Sequence, residues 1–200
     1  MRESETLKVA DFLNLFLPFF PSKQKQNTMI ELLRQRRSIR KYTSQEIENE
    51  KLEILKEAVL RSPSSKNINP WEFIFVDDPE LIANLKRCRP HGTTPLGTAP
   101  LAVVVCADET LNDVWVEDCS IASILLQITA QSVGLGSCWV QIRNRMHSDS
   151  ITAEKYVQEL LNIPGHFRVS TIIAVGYPEK TREGKPFEEL QFEKIRINRF

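Results

Sequence analysis

The stretch Cys119–Ile142 reads CSIASILLQITAQSVGLGSCWVQI, 24 consecutive residues without a charged side chain. Ser120, Ser123, Gln127, Thr129, Gln131 and Ser132 make it too polar for a bilayer span, and Gly134 and Gly136 interrupt it. It therefore reads as a buried helix, a turn and a strand over 136–141. Upstream, Asn112 and Asp113 are cap candidates and Glu117 and Asp118 suit an early turn, so the helix is expected over 112–133. A helix uncharged all round must be covered on more than one side. In a chain of 200 residues a second copy of the same helix is the simplest cover, and an obligate homodimer is expected, the alternative being a central helix of a monomer.

Outward from this stretch, helices and strands alternate in irregular order. LAVVVCA over 101–107 reads as a strand buried on both faces, and WEFIFV over 71–76 and RVSTIIAV over 168–175 read as further strands. Helices are expected over 29–37, 44–60, 77–87 and 150–161. The segment 89–100, with three prolines and two glycines, is a loop long enough to line a site, and 176–200 reads as a polar tail. Four strands and five helices in this order imply an α+β protein with a central sheet, one domain over 29–200. Residues 1–28 form an N-terminal extension. Its apolar run Val9–Phe20 is broken by Asp11 and Asn14 and is followed by no small-residue cleavage site, so a short amphipathic helix over Leu7–Leu17, ended by Pro18 and Pro21, is expected rather than a secretory signal.

Composition narrows the function. Lys plus Arg total 26 against 26 Asp plus Glu, and the zero net charge argues against general nucleic-acid or anionic-membrane binding, so any anion site must be local. Cys88, Cys106, Cys119 and Cys138 lie 18, 13 and 19 residues apart, without the close pairs of zinc or dithiol chemistry. No metal site is expected, and a reducing, cytoplasmic setting is.

Three segments carry candidate chemistry. Between Met29 and Gln45, Arg34, Arg36, Arg37, Arg40 and Lys41 face one acid, Glu31, a local charge of +4. Guanidinium forks beside a serine suit phosphate oxygens, although cations at a helix end need no ligand. PSSKNINPW over 63–71 is dense in hydrogen-bonding groups and stiffened by two prolines, which would preorganise it for a planar polar ligand or make it an ordinary helix-to-strand turn. GLGSCW over 134–139 lacks the third glycine of a dinucleotide fingerprint, and a helix C-cap explains Gly134.

In this order, RRSIR on the first helix, the PSSKNINPW loop and the GLGSCW turn after a long helix, the chain resembles the nitroreductase family of FMN-dependent oxidoreductases, from Met29 to about Pro186. The resemblance implies a central, mostly antiparallel sheet surrounded by helices in an intertwined homodimer. It implies that Arg36, Arg37 and Ser38 hold the FMN phosphate and that Arg40 reaches the ribityl chain or the pyrimidine edge, where its charge would stabilise the reduced ring. Ser64, Ser65, Asn67 and Asn69 would approach the ring from the neighbouring subunit. The stretch around Gln141 would offer a backbone amide to the hydride-accepting nitrogen, and Arg182 or Lys185 would complete the phosphate cradle. Asn69 departs from the family's usual glutamine, being one methylene shorter, and Gln141 stands where some members have glutamate.

The implied activity passes a hydride from NADH or NADPH through FMN to a nitroaromatic, quinone or similar small acceptor by ping-pong exchange, with no catalytic side chain required. The alternatives are flavin-consuming or dehalogenating chemistry on the same scaffold, for which 89–100 is the candidate lid, and a non-enzymatic flavin-binding protein. His91, His147 and Lys66 receive no role.

Overall fold

Three consecutive valines make Leu101–Asp108 (β2) a strand with no polar face, and the fold surrounds it accordingly. In the computed structural model, which describes residues 28–200, Leu101 to Ala107 are all buried. The sheet has the order β1–β2–β4–β3, with Trp71–Val76 as β1, Gly136–Gln141 as β3 and Phe167–Gly176 as β4, and all three pairings are antiparallel. Alternate side chains feed two cores. Val103, Val105 and Ile173 meet helices α2 (Asn49–Leu60) and α4 (Trp115–Ser132) on one face, while Val104, Ile172 and Val140 meet α3 (Pro79–Leu85) and α5 (Ala153–Leu161) on the other. Helix α1 (Met29–Gln35) lies against α4. The expected α+β architecture with an antiparallel sheet is what the chain adopts.

Local chemistry sets the boundaries. Asp78 caps α3 by accepting from the Glu80 and Leu81 amides, Thr152 caps α5 through the Lys155 amide, and Gly134, at φ +81°, ends α4 in the left-handed region. Helix α2 begins at Asn49 rather than at residue 44. Residues 38–43 are drawn along the end of the sheet instead, with Ile39 N–H on the Ser137 carbonyl at 3.0 Å and Thr43 N–H on the Tyr177 carbonyl at 2.9 Å. Gly136 admits this crossing strand, since a Cβ there would stand 2.7 Å from Ile39 Cγ1. Helix α4 begins at Trp115, and Asn112 does not cap it: its amide turns to Asp118.

Two features concern a partner. One face of α4 is buried as expected, but Ile121 and Ile124 remain 38% and 37% exposed, so the second face is only partly covered among the described residues. The tail is not simply polar. Phe187, Phe192, Ile195 and Ile197 stand 51–83% exposed along it, an apolar series left uncovered among the described residues. The N-terminal extension, with its expected amphipathic helix, lies outside the described residues.

All four cysteines are buried and unpaired. Burial pushes the Cys88 thiol up to about 11 and the Cys106 thiol up to about 12, and raises Cys119 and Cys138 as well. At pH 8 the native protein is expected to react with a thiol-alkylating reagent far more slowly than free cysteine, with all four thiols released on denaturation. A fast-reacting native thiol, counted by mass spectrometry, would contradict this packing.

Candidate functional site

The basic cluster converges on a cleft. Arg36, at the C-cap of α1, is followed by Arg37, Ser38 and Arg40 as the chain leaves the helix for the sheet end, and these four with Arg182 line a hollow of about 250 Å³. Ser38 bridges Ser137 of β3 in parallel fashion. Tyr42 holds the segment down, its buried hydroxyl 2.6 Å from the Ile39 carbonyl and 3.1 Å from that of Ala174. The tail returns beside it, with Glu179 N–H on the Lys41 carbonyl at 3.1 Å. Gly184 then passes so close to α1 that a Cβ there would collide with the Arg34 carbonyl. This approach brings Arg182 to the cleft, whereas Lys185 is exposed and does not line it.

Among the described residues, none of the four arginines is ion-paired with a carboxylate. Four like charges around one hollow repel each other and call for a multivalent anion. The Ser38 hydroxyl and the Arg40 and Arg36 guanidiniums also oppose the rise that burial imposes on the Cys138 thiol, which places them over β3.

From the cleft, β3 offers an edge. It is the last strand of the sheet, and beyond the Ser38 bridge no strand pairs with its outer side among the described residues. The Ser137 carbonyl faces outward to Ile39, so by antiparallel alternation Trp139 and Gln141 also turn their backbone N–H and C=O outward. Val140 instead pairs inward with Ile172. The ladder between β2 and β4 shifts at Val105/Cys106, skipping Ser170, and this bulge gathers the Ile142 and Arg143 amides onto the single Ser170 carbonyl at 3.3 and 3.0 Å. Within 140–142 the outward N–H is therefore that of Gln141. Its side chain is committed elsewhere: Oε1 accepts from Trp139 Nε1 at 2.8 Å and Nε2 donates to the Arg143 carbonyl at 2.9 Å. Ser137 to Gln141 spans about 14 Å at ~3.4 Å per residue, a reach suited to a phosphate at one end and a ring at the other.

The second segment folds on itself. Ser64 Oγ donates to Asn69 Oδ1 at 2.7 Å and accepts from the Asn69 N–H at 2.8 Å. Lys66, Asn67 and Asn69 all adopt left-handed φ, of 52°, 56° and 53°. Asparagine tolerates that region, and Lys66 carries the steric cost. The Ser64 and Asn69 side chains, expected to face the ring, thus close the loop instead, and the short Asn69 side chain suits this closure. The half-buried Ser65 and exposed Asn67 are the groups left to present. None of 64–69 lines the arginine cleft of its own chain.

The residue that sequence reading missed is Asp118. It is 2% exposed, Oδ1 accepts from the Ser65 N–H at 2.9 Å, and Oδ2 accepts from Asn112 Nδ2 at 2.7 Å. A buried carboxylate on α4 thereby fixes the polar loop. Asp118→Ala leaves both donors without an acceptor and is expected to destabilise the fold by about 3 kcal/mol, with Asp118→Asn recovering part of the loss. Urea unfolding checks this, and a variant as stable as the parent would refute it.

Other candidates settle into structural roles. His147 Nδ1 lies 2.9 Å from the Arg87 carbonyl and its ring stacks on Tyr156 at 4.3 Å. The segment 89–100 is fastened down: Leu96 is buried, and Thr98 Oγ1 accepts from the Tyr42 N–H at 3.0 Å. It does not stand open as a lid.

A four-stranded antiparallel sheet between helices, with an arginine cleft at one end of its free edge, is the architecture of a flavin-type oxidoreductase. The profile of the Nitroreductase family matches residues 33–91 and 91–177, and the chain belongs to that family. An Archaeoglobus fulgidus protein described as an NADH dehydrogenase/NAD(P)H nitroreductase is 34% identical over 158 residues, covering 77% of this chain and 87% of that protein. A solved FMN-dependent nitroreductase from Clostridium difficile R20291 superposes with a TM-score of 0.84 at 46% identity, covering 86% of this chain and 99% of that one. A solved protein from Parabacteroides distasonis, described as an NADH dehydrogenase/NAD(P)H nitroreductase, gives 0.79 at 31% identity, covering 87% and 99%. The resemblance read from the three sequence segments is borne out.

Proposed function

We propose that two copies of this chain form an FMN-dependent NAD(P)H oxidoreductase acting on a nitroaromatic, quinone or similar small acceptor. The observation that carries this is the convergence of Arg36, Arg37, Arg40 and Arg182, without carboxylate partners, on a cleft at the head of the free β3 edge. The FMN phosphate fits that charge, with the Ser38 hydroxyl among its donors. The Gln141 N–H is the backbone donor for the ring, and it needs nothing from the glutamine side chain. FMN held by these residues would supply the chemistry, hydride transfer between NADH or NADPH and the acceptor in ping-pong order.

The dimer follows from what one chain leaves incomplete. Among the described residues its 64–69 loop does not line its own arginine cleft, Ile121 and Ile124 are part-exposed on α4, and the tail carries exposed aromatics. A two-fold contact through α4 covers that stripe and brings the partner's loop to the cleft in both directions. Ser65 and Asn67 then close over the ring. Among the described residues no helix is long and apolar enough to cross a membrane, and four buried free thiols suit the cytoplasm.

The test is colour. The purified protein is expected to be yellow, to bleach anaerobically with NADH or NADPH, and to recover colour on adding a nitroaromatic or quinone. Protein that stays colourless with added FMN would contradict the proposal.

A further inference from the structure

Arg89 reaches the far end of the free edge. Its Nη1 donates to the Gln141 carbonyl at 2.6 Å. The turn after it folds back over the guanidinium, with Gly92 at φ +84° and so close that a Cβ there would stand 3.2 Å from Arg89 Nη2. The side chain is half-buried, and among the described residues no carboxylate pairs with it. One donor is spent on a backbone oxygen, and the charge stays uncompensated.

The position of that charge matters. The Gln141 C=O and N–H turn to the same outer side of β3, so the guanidinium sits beside the residue whose N–H faces the ring in the flavin reading of the site, on which this inference rests. Arg40, which by the family resemblance would reach the ribityl chain or the pyrimidine edge, lines the cleft at the opposite end of β3. We propose that Arg89 is a positioning residue, which fixes the Gln141 peptide and supplies the positive charge that makes FMN at this edge easier to reduce. Two-electron reduction brings negative charge to the ring, and a fixed guanidinium stabilises it without reorganising. Because Arg89 stands away from the phosphate cleft, it acts on the potential far more than on affinity.

The test uses the flavin-loaded protein and reads the midpoint potential of FMN by dye equilibration, with the FMN Kd measured alongside. Arg89→Gln is expected to shift the two-electron reduction equilibrium at least tenfold towards oxidised flavin, about 30 mV, while changing Kd less than threefold. Arg89→Lys, which keeps the charge, is expected to restore most of the shift. Gly92→Ala, which crowds the guanidinium, is expected to move the potential in the same direction and serves if Arg89→Gln folds poorly. A reduction equilibrium constant within twofold of the parent's in Arg89→Gln and Gly92→Ala overturns the proposal, as does a Lys variant with a potential as low as the Gln one. A parent protein that binds no FMN overturns the flavin reading as well, and is seen before any variant is made.

Discussion

Arg36→Ala combined with Ser38→Ala is expected to yield a folded, dimeric and colourless protein. The double change removes one guanidinium and one hydroxyl from the cleft, together with any charge-assisted bonds they make to the phosphate. Such bonds contribute about 1.5–3 kcal/mol for a charged donor and about 1 kcal/mol for a neutral one, so FMN affinity should fall at least about a hundredfold. Neither side chain is buried in a core cluster, and the backbone bond from Ile39 to Ser137 does not depend on them. Thermal stability without added flavin should therefore change little. FMN titration and size-exclusion chromatography check both halves of the statement, and a variant purified with stoichiometric flavin would refute the assignment of the cleft.

Ile124→Glu tests the other half of the site. Ile124 is 37% exposed in a single chain, and it shares a helical stripe with Ile121, so a carboxylate there costs an isolated folded chain little. Across a two-fold contact the same substitution appears twice and buries two unpaired like charges. At about 3–5 kcal/mol each, this exceeds what many interfaces of standard size can lose. The expected product is a folded monomer that has also lost its flavin, although every residue of its own arginine cleft is intact. A flavin-loaded monomer would show that one chain suffices.

Much of the architecture was legible because the responsible forces are local. LAVVVCA could only be a strand covered on both faces, and Gly134 could only be a helix stop. Helix α2 starts at Asn49 and not at Ser44, in a chain that has just left the sheet end, where Ile39 bonds to Ser137 and Thr43 to Tyr177, contacts that no pattern around Ser44 reveals. The tail was read as polar by composition, yet Phe187, Phe192 and Ile195 present its apolar residues outward.

The site divides the same way. Arg36, Arg37, Ser38 and Arg40 fall within five consecutive residues and are visible as a cluster, whereas only the fold shows that Arg182, and not Lys185, lines the cleft, where Gly184 passes close over α1. Asp118 was read only as a favourable charge near a helix start, because its bond to Ser65 spans 53 residues. Arg89 was one residue of an irregular loop, and its bond to Gln141 spans 52. Contacts of that range are made by the fold and leave no periodicity behind.

The shared site is the central claim, and co-expression of two disabled chains measures it. One chain carries Arg36→Ala with Ser38→Ala, the other Ser65→Glu with Asn67→Glu, and each alone is expected to be colourless. Mixed dimers would join the intact cleft of one chain to the intact loop of its partner, restoring about one FMN per mixed dimer, or about a quarter per chain at random pairing. Mixed dimers as colourless as their parents would place cleft and loop in the same chain's site and contradict the account.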